Sequence, residues 1–303
     1  MVSIEVKSRS KSLKGTTVDV SSSSTVLSLV KTIAKDNKNI DYHRVRLTYK
    51  DESDKQVPLN LSSTIADAKL VDKSVVYIKD LGPQISWRTV FIIEYLGPLL
   101  IHPLLYWVSG VDNKSTTQVF AFYMVMLHFL KREYETVFVH RFSNDTMPLF
   151  NIFKNSSHYW LLSGVSLAVF IYFGSSTPSS FVFNVNELPT SLNYLFLAFW
   201  AFAEISNFKT HNILANVRKD DDKKYVIPYG YGFNLVACPN YFFESLAWFA
   251  YGMMVGNWSA WVFFFVSTGQ MWLWAVKKHK RYIKTFGDDY KKLGRKIFVP
   301  YVI

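Results

Sequence analysis

Long apolar stretches of this 303-residue chain carry side chains that hydrocarbon does not readily accept. Glu94 stands in the first stretch, and Lys131, Arg132, Glu133 and Glu135 stand in the second. Glu204 and Asn207 lie in the fourth, Asn240 and Glu244 in the fifth. On insertion scales a charge at the bilayer centre costs about 2.5–3.5 kcal/mol. Groups kept at that cost face one another or a polar cavity, where carboxylates and amines can move protons and amides can hold a ligand. Arg132 and Glu133 have a second reading as interface residues, because a long side chain near a helix end reaches the headgroups. Glu94 and Asn240 lie deeper, and that reading suits them less.

Other chemistries lack their residues. The seven histidines (His43, His102, His128, His140, His158, His211 and His279) show no H-E-x-x-H spacing and no His-rich boxes, so no metal centre is expected. Cys238 is the single cysteine, which rules out an intramolecular disulfide and a Cys-based zinc site; it reads as a small apolar residue. Gly230-Tyr231-Gly232 is a lone G-x-G with no βαβ context, so a dinucleotide would have to be held without a Rossmann turn. The net charge of +11 reads as membrane topology, not nucleic-acid binding, because the basic residues cluster beside the apolar stretches.

The elements that must position these residues follow from hydropathy. Hydrophobic residues make up 50% of the chain but are concentrated after residue 80. About six apolar segments lie near 87–108, 118–139, 149–173, 191–208, 233–254 and 258–276, each close to the ~20 residues that cross hydrocarbon as a helix. Trp87, Trp107 and Trp258 sit near segment ends, as interfacial belts do. With residues 1–80 in the cytosol, the cytosolic connections hold Arg141, Lys209, Arg218, Lys219, Lys223, Lys224 and the basic tail 277–296, and the lumenal ones hold Lys114. This asymmetry predicts an even number of spans with both termini cytosolic. The start of the chain has no apolar core of signal-peptide length.

Residues 1–80 are polar and patterned differently. Val2-Ser3-Ile4-Glu5-Val6 alternates as a half-buried strand, and Thr17–Val20, Arg44–Tyr49 and Ser74–Ile78 read as further strands. Thr25 can cap a helix with Val26, Leu29, Val30 and Ile33 on one face. The order strand, strand, helix, strand, strand resembles the β-grasp of ubiquitin. The predicted fold is therefore an α-helical multi-spanning membrane bundle of about six transmembrane helices (81–303), preceded by an α+β ubiquitin-like β-grasp domain (1–80).

Specific motifs then carry a family resemblance. They are Lys79-Asp80-Leu81-Gly82-Pro83-Gln84-Ile85-Ser86-Trp87-Arg88, Glu94-Tyr95-Leu96-Gly97-Pro98, Lys131-Arg132-Glu133-Tyr134-Glu135-Thr136, Val139-His140-Arg141-Phe142-Ser143, Thr146-Met147-Pro148 and Cys238-Pro239-Asn240-Tyr241-Phe242-Phe243-Glu244. Together they resemble the very-long-chain trans-2,3-enoyl-CoA reductases of fatty-acid elongation, over essentially the whole chain. The C-terminal half also resembles the wider steroid 5α-reductase superfamily, through 207–218, 225–228, 240–244 and 279–290.

The resemblance implies NADPH-dependent reduction of the 2,3 double bond of a long-chain trans-2-enoyl-CoA. This would be the last step of the elongation cycle, supplying sphingolipid and very-long-chain fatty acid synthesis. It implies an endoplasmic reticulum membrane location, beside condensing enzyme, ketoreductase and dehydratase. Tyr241 aligns with the catalytic tyrosine. Lys131, Glu94, Gln84, Glu135 and the glycines Gly230 and Gly232 align with positions that matter for activity or support. Asn207, Arg218, Tyr225, Asn240 and Glu244 align with NADPH positions. Two departures stand out: Phe129 where steroid reductases carry a proton-transferring tyrosine, and His211 where they carry an acidic cofactor contact. In the implied chemistry a hydride reaches C3, charge develops on the thioester oxygen, and C2 takes a proton. Tyr241 would donate, Lys131 would lower its pKa or bind the oxygen, and Glu94 would orient the donor. The alternatives are a steroid or polyprenol double-bond reductase, and a non-enzymatic membrane scaffold.

Overall fold

The computed structural model describes residues 1–142, 145–217 and 225–302. It divides into two compact units, one formed by Met1–Ser86 with a short stretch ending at Phe150, the other by the remainder.

In the first unit, alternation along β1 (Val2–Ser8) and β2 (Thr16–Val20) turns Ile4, Val6, Val18 and Val20 into one core. Helix α1 (Val26–Asp36) begins where the Thr25 hydroxyl accepts the Ser28 N–H at 3.2 Å. It adds Val26, Leu29, Val30 and Ile33 to the same core. β3 (Val45–Lys50), β4 (Gln56–Pro58) and β5 (Ser74–Asp80) complete a sheet of order β2-β1-β5-β3-β4, in which β1 and β5 run parallel. Strand β4 has no alternating signal in the sequence; it is short and ends on Pro58, which an edge position tolerates. The unit extends past residue 80 because β6 (Gln84–Ser86) pairs antiparallel with β7 (Thr146–Pro148).

Asp80 ends β5 on a dense set of donors. Arg44 donates from Nε at 3.2 Å and Nη2 at 2.7 Å, Ser12 from Oγ at 2.7 Å, and Gly82 from its N–H at 2.8 Å. The Arg44 guanidinium holds the Asp80 carboxyl down at about 2. A depressed carboxyl stabilises the fold above the ordinary carboxylate range near 4, and this contribution disappears as pH falls toward 2. In the whole chain, amides of β3 and β5 should therefore lose hydrogen-exchange protection on acidification, after correction for intrinsic rates. Asp80→Asn should remove that acid dependence; an unchanged acid profile in the variant would contradict the assignment.

The second unit is helical. α2 (Trp87–Val108) is followed by α3 (Thr116–Tyr134), which Ser115 and Gln118 open with a reciprocal capping box. α3 widens into a π turn over Glu135–Val139. α4 (Asn151–Ser157) runs through a second π stretch, His158–Ser166, into α5 (Leu167–Tyr172). α6 (Thr190–Asn216), α7 (Pro239–Val255), α8 (Trp258–Phe286) and the short α9 (Asp288–Lys291) follow. Helix α7 starts later than the apolar run at Phe233. Pro239 occupies its first turn, where a fixed φ and a missing N–H are no handicap. The residues before it are tied instead to the C-terminal segment, with Ala237 N–H donating to Lys296 O at 2.8 Å.

These helices enclose charged and amide side chains within a largely apolar core and turn large apolar side chains outward. Glu94, Glu135 and Asn207 are buried, whereas Trp107, Ile205 and Phe265 are 72%, 68% and 66% exposed. Large apolar side chains on the outside suit a hydrocarbon surrounding. By length and composition, α2 is the one helix among the described residues that is long and apolar enough to cross a membrane.

Candidate active site

Helical periodicity collects the polar residues into stripes. On α3, His128, Lys131, Arg132 and Glu135 fall at i, i+3, i+4 and i+7, one face of a helix. On α6, Glu204, Asn207 and His211 do the same, and on α7 Asn240 and Glu244 are one turn apart. The stripes meet.

Lys131 Nζ donates to Glu204 Oε2 and to Asn207 Oδ1, both at 2.6 Å, and lies 3.9 Å from Glu135 Oε1. Asn207 Nδ2 donates to the Asn240 carbonyl at 2.8 Å, which links the lysine to the start of α7. His128 bridges two carboxylates, with Nδ1 2.7 Å from Glu204 Oε1 and Nε2 3.3 Å from Glu244 Oε1. Arg132 Nη1 donates to Glu135 Oε2 at 2.6 Å, and Nη2 to the Tyr95 hydroxyl at 2.9 Å. His211 Nδ1 sits 2.9 Å from Glu135 Oε1. The π turn contributes directly: the His140 N–H reaches the Glu135 carbonyl at 2.7 Å, five residues back, and the His140 ring lies edge-on to His211 at 4.9 Å.

Beside this network lies a cavity of about 220 Å³. His140, Arg141, His211, Asn240, Tyr241 and Lys278 give it polar walls, and Phe91, Phe142, Leu214 and Ala215 make it otherwise apolar. Asn240 is 5% exposed, and its Oδ1 has no hydrogen-bond partner. A buried acceptor left unpaired is unfavourable in a native interior and marks a place for a ligand N–H or O–H. Lys278 Nζ stands 5.7 Å from the centre of the Tyr241 ring. Glu135, His140 and His211 bring ligand atoms within 4.8 Å of one another. The Arg132 guanidinium already occupies that group, 3.3 Å from His211 Nδ1, and would repel a metal cation.

The expected site residues are distributed as follows. Tyr241 and Asn240 line the cavity, and Lys131, Asn207, Glu135 and Glu244 form the network behind it. Lys131 is held by Glu204 and Asn207 and does not line the cavity; Lys278 does, with its Nζ facing the Tyr241 ring. Glu94 also lies off the cavity, with Asn155 and Tyr95 as its hydrogen-bonding neighbours and Oε2 unpartnered. Tyr225 stacks on Tyr282 at 5.2 Å, under the Arg281 guanidinium, away from the cavity-lining set. Gln84 belongs to the first unit, where its Nε2 reaches the Leu81 and Gly82 carbonyls at 3.2 Å. Arg218 lies outside the described residues. Phe129 is fully buried among Tyr95, Tyr159 and Trp248 and serves packing. The interior place of Arg132 replaces its reading as an interface residue. Sequence alone assigns no site role to His128, Tyr95, His140 or Lys278, although Tyr95 and His140 stand within the quoted motifs and His128 is spaced one helical turn from Lys131.

Gly230 and Gly232 lie in the turn leading into α7, both with positive φ. At Gly232 (φ 75°) a Cβ would stand 2.6 Å from Pro239 Cβ; at Gly230 (φ 103°) it would meet nothing closer than 3.7 Å. Gly232→Ala should therefore lower the thermal midpoint of the detergent-solubilised protein more than Gly230→Ala. The backbone strain is about 1–3 kcal/mol in each, with the clash added at Gly232. Equal midpoints would remove Pro239 as the reason for the glycine.

The family described as 3-oxo-5-alpha-steroid 4-dehydrogenase matches residues 145–303, which hold α4 to α9 and the cavity residues His211, Leu214, Ala215, Asn240, Tyr241 and Lys278. The chain belongs to this family. A "Very-long-chain enoyl-CoA reductase" of Dictyostelium discoideum is 39% identical over 316 aligned positions, covering 100% of both chains. A Schizosaccharomyces pombe protein named "Putative enoyl reductase" is 52% identical over 235 positions, 76% of this chain and 77% of its own. A Mus musculus "Trans-2,3-enoyl-CoA reductase-like" protein is 33% identical over 227 positions, 70% of this chain and 61% of its own.

Proposed function

We propose that the chain is an oxidoreductase that saturates the 2,3 double bond of long- and very-long-chain trans-2-enoyl-CoA with NADPH. The observation that carries this reading is the meeting of Tyr241, Lys278 and an unpartnered Asn240 amide oxygen in one cavity. The full-length relative named a very-long-chain enoyl-CoA reductase supports the substrate class.

The residues suit a nicotinamide. The orphaned Asn240 Oδ1 matches an amide N–H; Asn207 holds the Asn240 carbonyl, and Glu244, one turn further along α7, pairs with His128. Together with Tyr225 and Arg218 these are the residues that would hold NADPH. When bound, it supplies the hydride. Tyr241 delivers the proton to C2, and Lys278 stabilises the phenolate that remains. Lys131 acts one step back, anchoring Asn207 and through it the start of α7. Phe91, Phe142 and Leu214 give the charge that develops on the thioester oxygen an apolar wall.

The remaining elements of the reading are a bundle of about six spans in the endoplasmic reticulum membrane, with both termini cytosolic. The exposed apolar faces meet lipid, from which the acyl chain reaches the cavity laterally. Residues 1–86 act as a ubiquitin-like β-grasp module, and the condensing, ketoreducing and dehydrating enzymes of elongation are the neighbours. The product feeds sphingolipid and very-long-chain fatty acid synthesis.

The test is purified full-length protein with NADPH and a panel of long trans-2-enoyl-CoA, steroid 4-ene-3-one and polyprenol substrates. NADPH loss and saturated product are followed together. Saturated acyl-CoA is expected; turnover confined to the steroid or polyprenol, or none beside an active Dictyostelium relative, would refute the reading.

A further inference from the structure

Arg295 lies outside the cavity just described and is 7% exposed, yet it pairs with no carboxylate among the described residues. Its Nη1 donates to the Pro228 carbonyl at 2.8 Å, while Nε is buried without a partner. The guanidinium is flanked by the rings of Tyr229 at 4.8 Å and Tyr290 at 6.0 Å. Rings soften the desolvation of a cation but do not neutralise it, and an uncompensated buried ion is unfavourable. Arginine stays charged under these conditions. Among the described residues no anion answers it, and an anionic ligand would.

A second cavity, of about 180 Å³, is lined by Arg295 together with His279, Ile283, Tyr290, Lys291 and Gly294. His279 uses Nδ1 on the Tyr290 hydroxyl at 3.0 Å, and its Nε2 makes no hydrogen bond among the described residues. The surrounding tail, 277–296, is rich in Lys and Arg, with Asp288 and Asp289 as its only acids. We propose that this cavity binds a phosphate monoester, anchored by Arg295 and completed by His279. The planar guanidinium fork matches two phosphate oxygens at once, and no carboxylate among the described residues takes that place.

The position gives such an anion a consequence. Lys296, the next residue, is bonded on both sides to the turn before α7: its N–H donates to Leu235 O at 2.9 Å and its carbonyl accepts from Ala237 at 2.8 Å. That turn runs directly into Asn240 and Tyr241. On the other flank, Lys278 of the first cavity is adjacent in sequence to His279 of the second. A phosphate held by Arg295 thus braces the backbone that carries the proton donor.

The 2′-phosphate of a dinucleotide, the 3′-phosphate of coenzyme A and the headgroup of phosphatidic acid all have this chemistry. The first two sources rest on the proposed reduction; the site itself does not. The experiment is thermal unfolding of the full chain in detergent with 2′,5′-ADP, 3′,5′-ADP or inorganic phosphate, and in phosphatidylcholine nanodiscs with and without phosphatidic acid. At least one phosphate monoester should raise the midpoint by about 2–4 °C at saturating concentration. Which one does so names the source. His279→Gln, at a half-buried helix position, should weaken the apparent affinity about tenfold, and Arg295→Gln should abolish the shift if that variant folds. No shift with any probe, or equal affinity in wild type and His279→Gln, overturns the proposal. Because the readout is binding, it stands or falls independently of enoyl-CoA turnover.

Discussion

Tyr241→Phe should lower turnover of a long-chain trans-2-enoyl-CoA by about 10²–10⁴-fold, the range for loss of a positioned proton donor. The ring keeps its packing against Ala237, Cys238, Met271, Ala275 and Phe298, so the variant should fold and keep its thermal midpoint. NADPH affinity should change little, because the removed hydroxyl belongs to the proton-delivery side of the cavity. A loss in kcat at nearly constant KM is thus the expected pattern. Turnover within about threefold of wild type would exclude Tyr241 as the donor. The assignment would then pass to Lys278, His140 or His211, titratable neighbours on the same walls.

The second large effect concerns stability. Glu135 is fully buried and receives Arg132 at 2.6 Å and His211 at 2.9 Å, with Lys131 at 3.9 Å. Glu135→Gln removes the negative charge and leaves the Arg132 guanidinium uncompensated in the interior. Breaking a buried pair in this way costs about 3–5 kcal/mol. For a helical unit of this size the midpoint should fall by roughly 6–20 °C. Combining Arg132→Met with Glu135→Leu should recover much of that loss, since two apolar groups do not need each other's charge. If the double variant is no more stable than Glu135→Gln, the pair is not the source of the effect. Both measurements should be made in one detergent, because micelle contact with the exposed apolar faces contributes to every midpoint.

Much of this architecture can be read from the order of residues alone. Alternation along Val2–Ser8 and Thr16–Val20, and the Thr25 cap of α1, are local properties that the backbone expresses wherever it folds. The apolar runs that became α2, α3, α6, α7 and α8 are likewise set by composition over a window of residues, and so is the presence of charged intruders within them. Periodicity places His128, Lys131, Arg132 and Glu135 on one helix face before any contact is known. Strand β4 escaped because three residues at an edge are chosen by their partner β3, not by their own pattern. What no local pattern contains is which stripe faces which. Lys131 finds Glu204 and Asn207 more than seventy positions away, and so is engaged behind the cavity, while Lys278 takes the place beside Tyr241. A helix period specifies a direction from the axis, and the charge waiting in that direction is supplied by helix packing. For that reason the kind of chemistry is legible in residue types, and the division of roles among the lysines and carboxylates becomes legible only once the helices are assembled.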